Sequence, residues 1–209
     1  MNLENSLKMA MELLFGGDLA LMQTRAARTA YSAAVCYYLC GMNIEHNMDL
    51  QLWGSPHHKD TVALLNNVGI KHIHYEFLND FVVFERKSEE ILLPILACES
   101  ELHPTQEVTN STNSGYTWDF LKLLYTQFQQ KLFIACVGEN RIKTTPSRLD
   151  TLKSTLSICA KDHAAVWSNS RISIVLYPNV IKSMSDIVIG ISDDHGNIVW
   201  HNVGANHVV

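Results

Sequence analysis

Apolar residues recur with helical spacing at the start of the chain. Leu7, Met11 and Leu14 share one stripe of residues 3–15, which predicts an amphipathic helix stopped by Gly16-Gly17. Asp18 is placed to cap a second helix over residues 19–39, rich in Ala and closed by Gly41. Residues 42–58 show no clear period and read as irregular, with a turn at Gly54-Ser55-Pro56. A short helix over 59–68 closes at Gly69. The pattern then changes. Residues 70–78 alternate, and apolar runs at 81–85 and 91–102 predict two further strands joined by a turn at 87–90. Pro94 removes a ladder donor and marks an edge position, a bulge or the true start of its strand. Residues 103–115 form a long polar loop. The helix predicted over 116–130 places Trp118, Leu121, Tyr125 and Phe128 on one stripe, widened by Phe120 and Leu124. A buried strand over 131–137 follows. Thr145-Pro146 opens a helix running to about Trp167, with Pro at its first position. Strands over 171–178 and 186–192 and a hairpin through residues 193–197 into 198–202 complete the chain. The order of elements is that of a single α/β domain with a mixed sheet flanked by helices, residues 1–68 being its N-terminal helical part and 70–209 its core.

Composition narrows the functional classes. The 209 residues are 47% hydrophobic and 18% charged, which argues against long disorder. The formal charge of −5 and the lack of any basic run count against DNA binding, although scattered Arg and Lys can still form a local patch. Arg25 and Arg28, three apart on a helix, form one such small cationic face. The five cysteines, Cys36, Cys40, Cys98, Cys136 and Cys159, lie in apolar surroundings and read as reduced core residues of a cytoplasmic protein. Cys36 and Cys40 share a helical face without a matching Cys/His pair, so no zinc pattern emerges. His46, His57 and His58 invite a metal reading. The turn before His57-His58 favours an exposed loop instead, because chain neighbours rarely point at one ion. No basic n-region precedes an apolar segment at the N-terminus, and no apolar run reaches membrane-spanning length.

The chemistry concentrates in Ile91–Leu102, where an apolar run ends in Glu99 and Glu101. Side chains at i and i+2 of a strand point to one face, so the two acids stand side by side. Paired carboxylates repel, and each resists losing its water. A hard divalent cation with oxygen ligands relieves both penalties. An antiparallel pairing of residues 80–86 with 91–99 brings Asp80 to the same end. The bland alternative is a set of solvated strand-end acids. The uncharged stretch Ile91–Cys98 weakens it, since it implies a strand buried on both faces.

Asp80, Glu99-Ser100-Glu101, the helix segment WDFLKLL and the following KLFIAC together resemble the core of the PD-(D/E)XK nuclease superfamily, which includes many restriction endonucleases. The likeness covers roughly residues 70–137 and rests more on the order of elements than on the acids. It implies a restriction-endonuclease-like fold and a Mg²⁺ (or Mn²⁺) ion held by Asp80, Glu99 and the Ser100 carbonyl. The third motif position is usually Lys in that family. Here it is Glu101, as in a minority of restriction enzymes. Glu cannot supply positive charge, but it can take a proton from water or hold a second metal. Lys122, on the next helix, is the cation that would steady the phosphate, as in members where the charge has moved to that helix. The bland reading of Lys122 is a surface side chain paired with Asp119. The expected function is metal-dependent hydrolysis of DNA, with a homodimer implied by the need to cut two strands. The rival is a catalytically inactive member of the same fold that acts as a protein-interaction module.

Overall fold

The computed structural model describes residues 2–41, 49–54, 59–75, 79–103, 115–138, 147–167, 169–193 and 195–204. His46, His57, His58, most of the 103–115 loop and Thr145-Pro146 lie outside them. The N-terminal helix α1 spans Leu3–Phe15, capped by the Asn2 side chain and ended by Gly16 in the left-handed region. Asp18 caps a 3₁₀ turn over Leu19–Gln23 rather than a long helix, and α2 runs separately over Arg25–Gly41. The later helices are α3 (Lys59–Asn67), α4 (Gly115–Leu124), α5 (Arg148–Asp162) and the short α6 (Ala164–Trp167). α5 is capped by Ser147.

Among the described residues, eight strands form one mixed sheet. In chain order they are β1 (Asp49–Gly54), β2 (His72–His74), β3 (Phe81–Arg86), β4 (Leu92–Glu101), β5 (Gln130–Val137), β6 (Arg171–Pro178), β7 (Val188–Ser192) and β8 (Ile198–Asn202). Across the sheet they run β2-β1-β3-β4-β5-β6-β7-β8. β1, β3 and β4 form an antiparallel run, β4, β5 and β6 are parallel, and β6, β7 and β8 are antiparallel again. β1 and β2 are parallel as well, and parallel neighbours need a crossover: α3 supplies it between β1 and β2, α4 between β4 and β5, and α5 with α6 between β5 and β6.

The sheet is coated on both faces. Leu7, Tyr31, Val35 and Leu65 from α1, α2 and α3 pack on Leu52, Val83, Leu96 and Cys98. Phe120, Leu123, Leu152 and Trp167 from α4, α5 and α6 pack on Ala97, Phe133, Ala135 and Ile174. Strand alternation therefore sends Leu96 and Cys98 toward α2, and Ala97, Glu99 and Glu101 toward α4. All five cysteines are buried and free. Among the described residues, no helix is long and apolar enough to cross a membrane.

Several expectations need correction. Residues 49–54, taken as irregular, form a strand inside the sheet between β2 and β3. β2 itself is three residues long and lies at an edge. The apolar run of β4 is not buried throughout: Ile91, Leu93 and Pro94 are exposed, and burial begins at Leu96. Pro94 marks a bulge, with Phe84 opposite Pro94 and Val83 opposite Leu96, so Ile95 is the extra residue. α4 ends at Leu124 and is rotated from the predicted stripe. Trp118 is 65% exposed and Tyr125 55%, while Tyr116, Thr117, Phe120, Leu123 and Leu124 face inward. Arg28 lies inside the fold. Its guanidinium donates to the Met22 carbonyl and the Asn179 side chain, so it shares no cationic face with exposed Arg25.

Candidate functional site

The register of β3 on β4 brings the acids together. Phe81 pairs with Cys98, which sets Asp80, one residue before β3, beside the end of β4. Asp80 Oδ2 accepts the Ser100 backbone N–H and the Ser100 hydroxyl, each at 2.7 Å. Asp80 Oδ1 takes no part in those bonds. Glu99 is 1% exposed and has two partners of different kinds. The Asn79 side-chain amide donates to Oε1 at 2.8 Å, and the Lys122 ammonium meets Oε2 at 2.7 Å. Lys122 also lies 3.5 Å from Asp119, three residues earlier on α4. Glu101 accepts the His103 backbone N–H at 2.9 Å. Lys122 thus pairs with Asp119, as the bland reading has it, and also with the buried Glu99.

Lys122 reaches Glu99 because both side chains occupy the same sheet face. Glu99 and Glu101 continue the Ala97 face, and α4 is the helix laid on it. The acids also lie at the C-terminal end of a parallel strand, where α/β sheets open toward ligands.

The site carries more negative charge than its one lysine neutralises. Burial, and then the Asp80 charge, push the Glu99 carboxyl up to about 8, against the pull of Lys122 and Asn79. Burial also raises the Glu101 carboxyl, with Asp119 and Asp80 adding to it and the His103 N–H opposing. Asp119 is raised as well, first by burial, with Lys122 opposing. Burial works against the Lys122 charge, yet Glu99, Asp119 and Asp80 together outweigh it and raise the ammonium. A carboxyl as weak as Glu99 tends toward protonation near neutrality, whereas the Lys122 contact calls for a carboxylate. At 2.7 Å the contact favours an ion pair whose carboxylate is short of positive charge.

Among the described residues, no three or more His, Cys, Asp or Glu side chains form a ready metal cage. The donors present still suit Mg²⁺ better than zinc. They are hard oxygens, and Mg²⁺ keeps several waters and takes one or two carboxylates with substrate phosphates. Lys122 shows that a cation fits against Glu99. A hollow of about 670 Å³ lies elsewhere, lined by Tyr37, Leu50, Val62, Asn66 and His72 among others, and brings no donor to the acids.

Of the residues singled out from spacing and resemblance, Asp80 meets Ser100 and Lys122 meets Glu99, with Glu101 two residues further along the same strand. The sequence reading gave no place to Asn79. An Asn ahead of a strand reads as an ordinary turn former, and nothing in its spacing marks a partner twenty residues away. Comparison with protein-family models, with curated proteins and with solved structures found no match.

Proposed function

We propose that the chain is a metal-dependent nuclease that hydrolyses phosphodiester bonds in DNA, on a restriction-endonuclease-like fold. The observation that carries the reading is the convergence of Asp80, Glu99-Ser100 and Lys122 at one end of β3 and β4. The order α2, β1, α3, β2, β3, β4, α4, β5 supports it, with Asp80 just before β3, Glu99 and Glu101 on β4, and a crossover helix before the parallel strand. Asp80, Glu99 and the Ser100 carbonyl would hold the ion. A bound Mg²⁺ polarises the phosphate and makes its water a better nucleophile.

The chain's own groups do the remaining work. Glu101, its carboxyl made more basic by burial, orients the attacking water and takes its proton. Lys122 offers its ammonium to the phosphate oxygens. The test is cleavage of DNA, with RNA alongside, in Mg²⁺ or Mn²⁺ and in chelator. We expect metal-dependent cutting that falls to background in Glu99→Ala. In Glu101→Gln it should fall by about 10²–10⁴-fold, the usual worth of a general base. No cleavage of either nucleic acid, together with no divalent-cation binding by calorimetry, removes the proposal.

One observation favours the second reading, an inactive member of the fold serving as an interaction module. Both Glu99 oxygens already have partners within the chain. On that reading Glu99→Ala leaves the protein's cellular role intact.

A further inference from the structure

The two oxygens of Glu99 are held differently. Oε1 receives the neutral amide of Asn79, which is 6% exposed and sits in the bend just before Asp80. Oε2 receives Lys122, whose side chain is 31% exposed at the end of a flexible stem. Asn79 cannot leave without stranding a buried amide. Lys122 can leave, because Asp119 at 3.5 Å keeps a second anionic contact for its ammonium. Resting on the reading above, we propose that Asn79 is a positioning residue that keeps Glu99 oriented for a divalent cation, while Lys122 is a resident counter-ion that the cation displaces from Oε2.

The proposal follows from charge and geometry. An ammonium and a divalent ion cannot share one carboxylate oxygen at contact distance, since like charges at that range repel strongly in a buried setting. Freed from Oε2 but retained by Asp119, the ammonium stays within one side chain's reach of the site. It is then available for the phosphate role assigned to it. Asn79 carries no charge, so it competes with nothing. It stops the carboxylate from turning its free lone pairs away once Lys122 has gone.

A merely structural role for both residues makes both substitutions weaken binding. The proposal requires opposite signs. Isothermal calorimetry with Mn²⁺ on the whole chain, in wild type, Lys122→Met, Asn79→Ala and Asn79→Ser, reads this directly, with circular dichroism as the folding control. Lys122→Met should bind Mn²⁺ about ten-fold more tightly. Asn79→Ala should bind about ten-fold more weakly, in the range of second-layer metal-site substitutions. Asn79→Ser, which keeps a donor, should recover part of that loss. Binding in Lys122→Met but not in wild type also supports displacement, and the Asn79 comparison is then made in that background. If wild type binds and Lys122→Met binds no more tightly, or Asn79→Ala no more weakly, the proposal is overturned and the cation site survives. If none of the folded proteins binds, the cation site itself is lost and the proposal with it. Where Asn79→Ala does not fold, Asn79→Ser alone decides, and binding equal to wild type with the amide gone overturns the positioning role.

Discussion

Glu99 is a nearly fully buried carboxyl whose pKa is raised from an ordinary 4.5 to about 8, chiefly by burial. In the folded protein Glu99 is harder to ionise than in the unfolded chain, so forming the carboxylate that pairs with Lys122 costs stability. Stability from this group is therefore complete below pH 4.5 and is lost as pH rises toward 8. At about 1.4 kcal/mol per unit, the loss is on the order of 3–4 kcal/mol. Urea unfolding in chelator from pH 5 to 8 should show that decline, and Glu99→Gln should flatten most of it. An equal slope in both proteins would mean that Glu99 titrates normally. The residues behind this behaviour were only partly legible in the sequence. Asp80, Glu99 and Glu101 follow from i, i+2 spacing and one hairpin. The partners that set their charge do not. Asn79 reaches Glu99 through the shape of a bend, and Lys122 through the rotation of a helix, and neither leaves a periodic trace.

The elements carry their own constraint at Gly54, the last residue of β1. A Cβ there would lie 2.5 Å from the Asp80 carbonyl oxygen and 2.5 Å from the Phe81 ring. Only glycine lets β1 close on β3 at the position that aims Asp80. Gly54→Ala should destabilise the fold by about 1–3 kcal/mol, as overpacking does, and should weaken divalent-cation binding by moving Asp80. A variant with an unchanged urea midpoint and unchanged Mn²⁺ affinity would show that the contact relaxes freely. Yet β1 is the element the sequence hid best. Leu50 and Leu52 alternate with Gln51 and Trp53, but only within six residues, and Gly54-Ser55-Pro56 signals a turn at once. α4 shows the opposite difficulty. Two overlapping apolar stripes were present, one through Trp118 and Tyr125 and one through Phe120 and Leu124. Hydrophobicity alone could not choose between them. In the fold the second stripe faces the sheet, which sets Asp119 and Lys122 at its border beside the acids.

At the scale of the whole molecule, α4 is tied to the sheet by two buried charges of opposite sign. Glu99 on β4 takes Lys122, and Lys131 on β5 donates to the Leu124 carbonyl at 2.6 Å. A cation there also complements the C-terminal end of the helix. Lys131 is 1% exposed, and burial lowers its ammonium from 10.5 to about 8. The sign is the reverse of that for Glu99. Between pH 8 and 10.5 the unfolded chain holds a proton here that the folded protein has lost, so the contribution of Lys131 alone rises with pH by about 3 kcal/mol over that window. From about pH 9 the buried thiols of Cys40, Cys98, Cys136 and Cys159, and then Tyr31 and Tyr177, keep protons that the unfolded chain gives up, so they oppose that rise in the protein as a whole. The metal-free wild type should thus gain stability relative to Lys131→Met as pH rises from 8 to 10, and lose it relative to Glu99→Gln as pH rises from 5 to 8. Urea midpoints measured at half-unit steps from pH 5 to 10 decide it. A wild-type-minus-variant difference that stays flat with pH, or that changes over the same window for both substitutions, would mean that the two charges do not hold the helix independently.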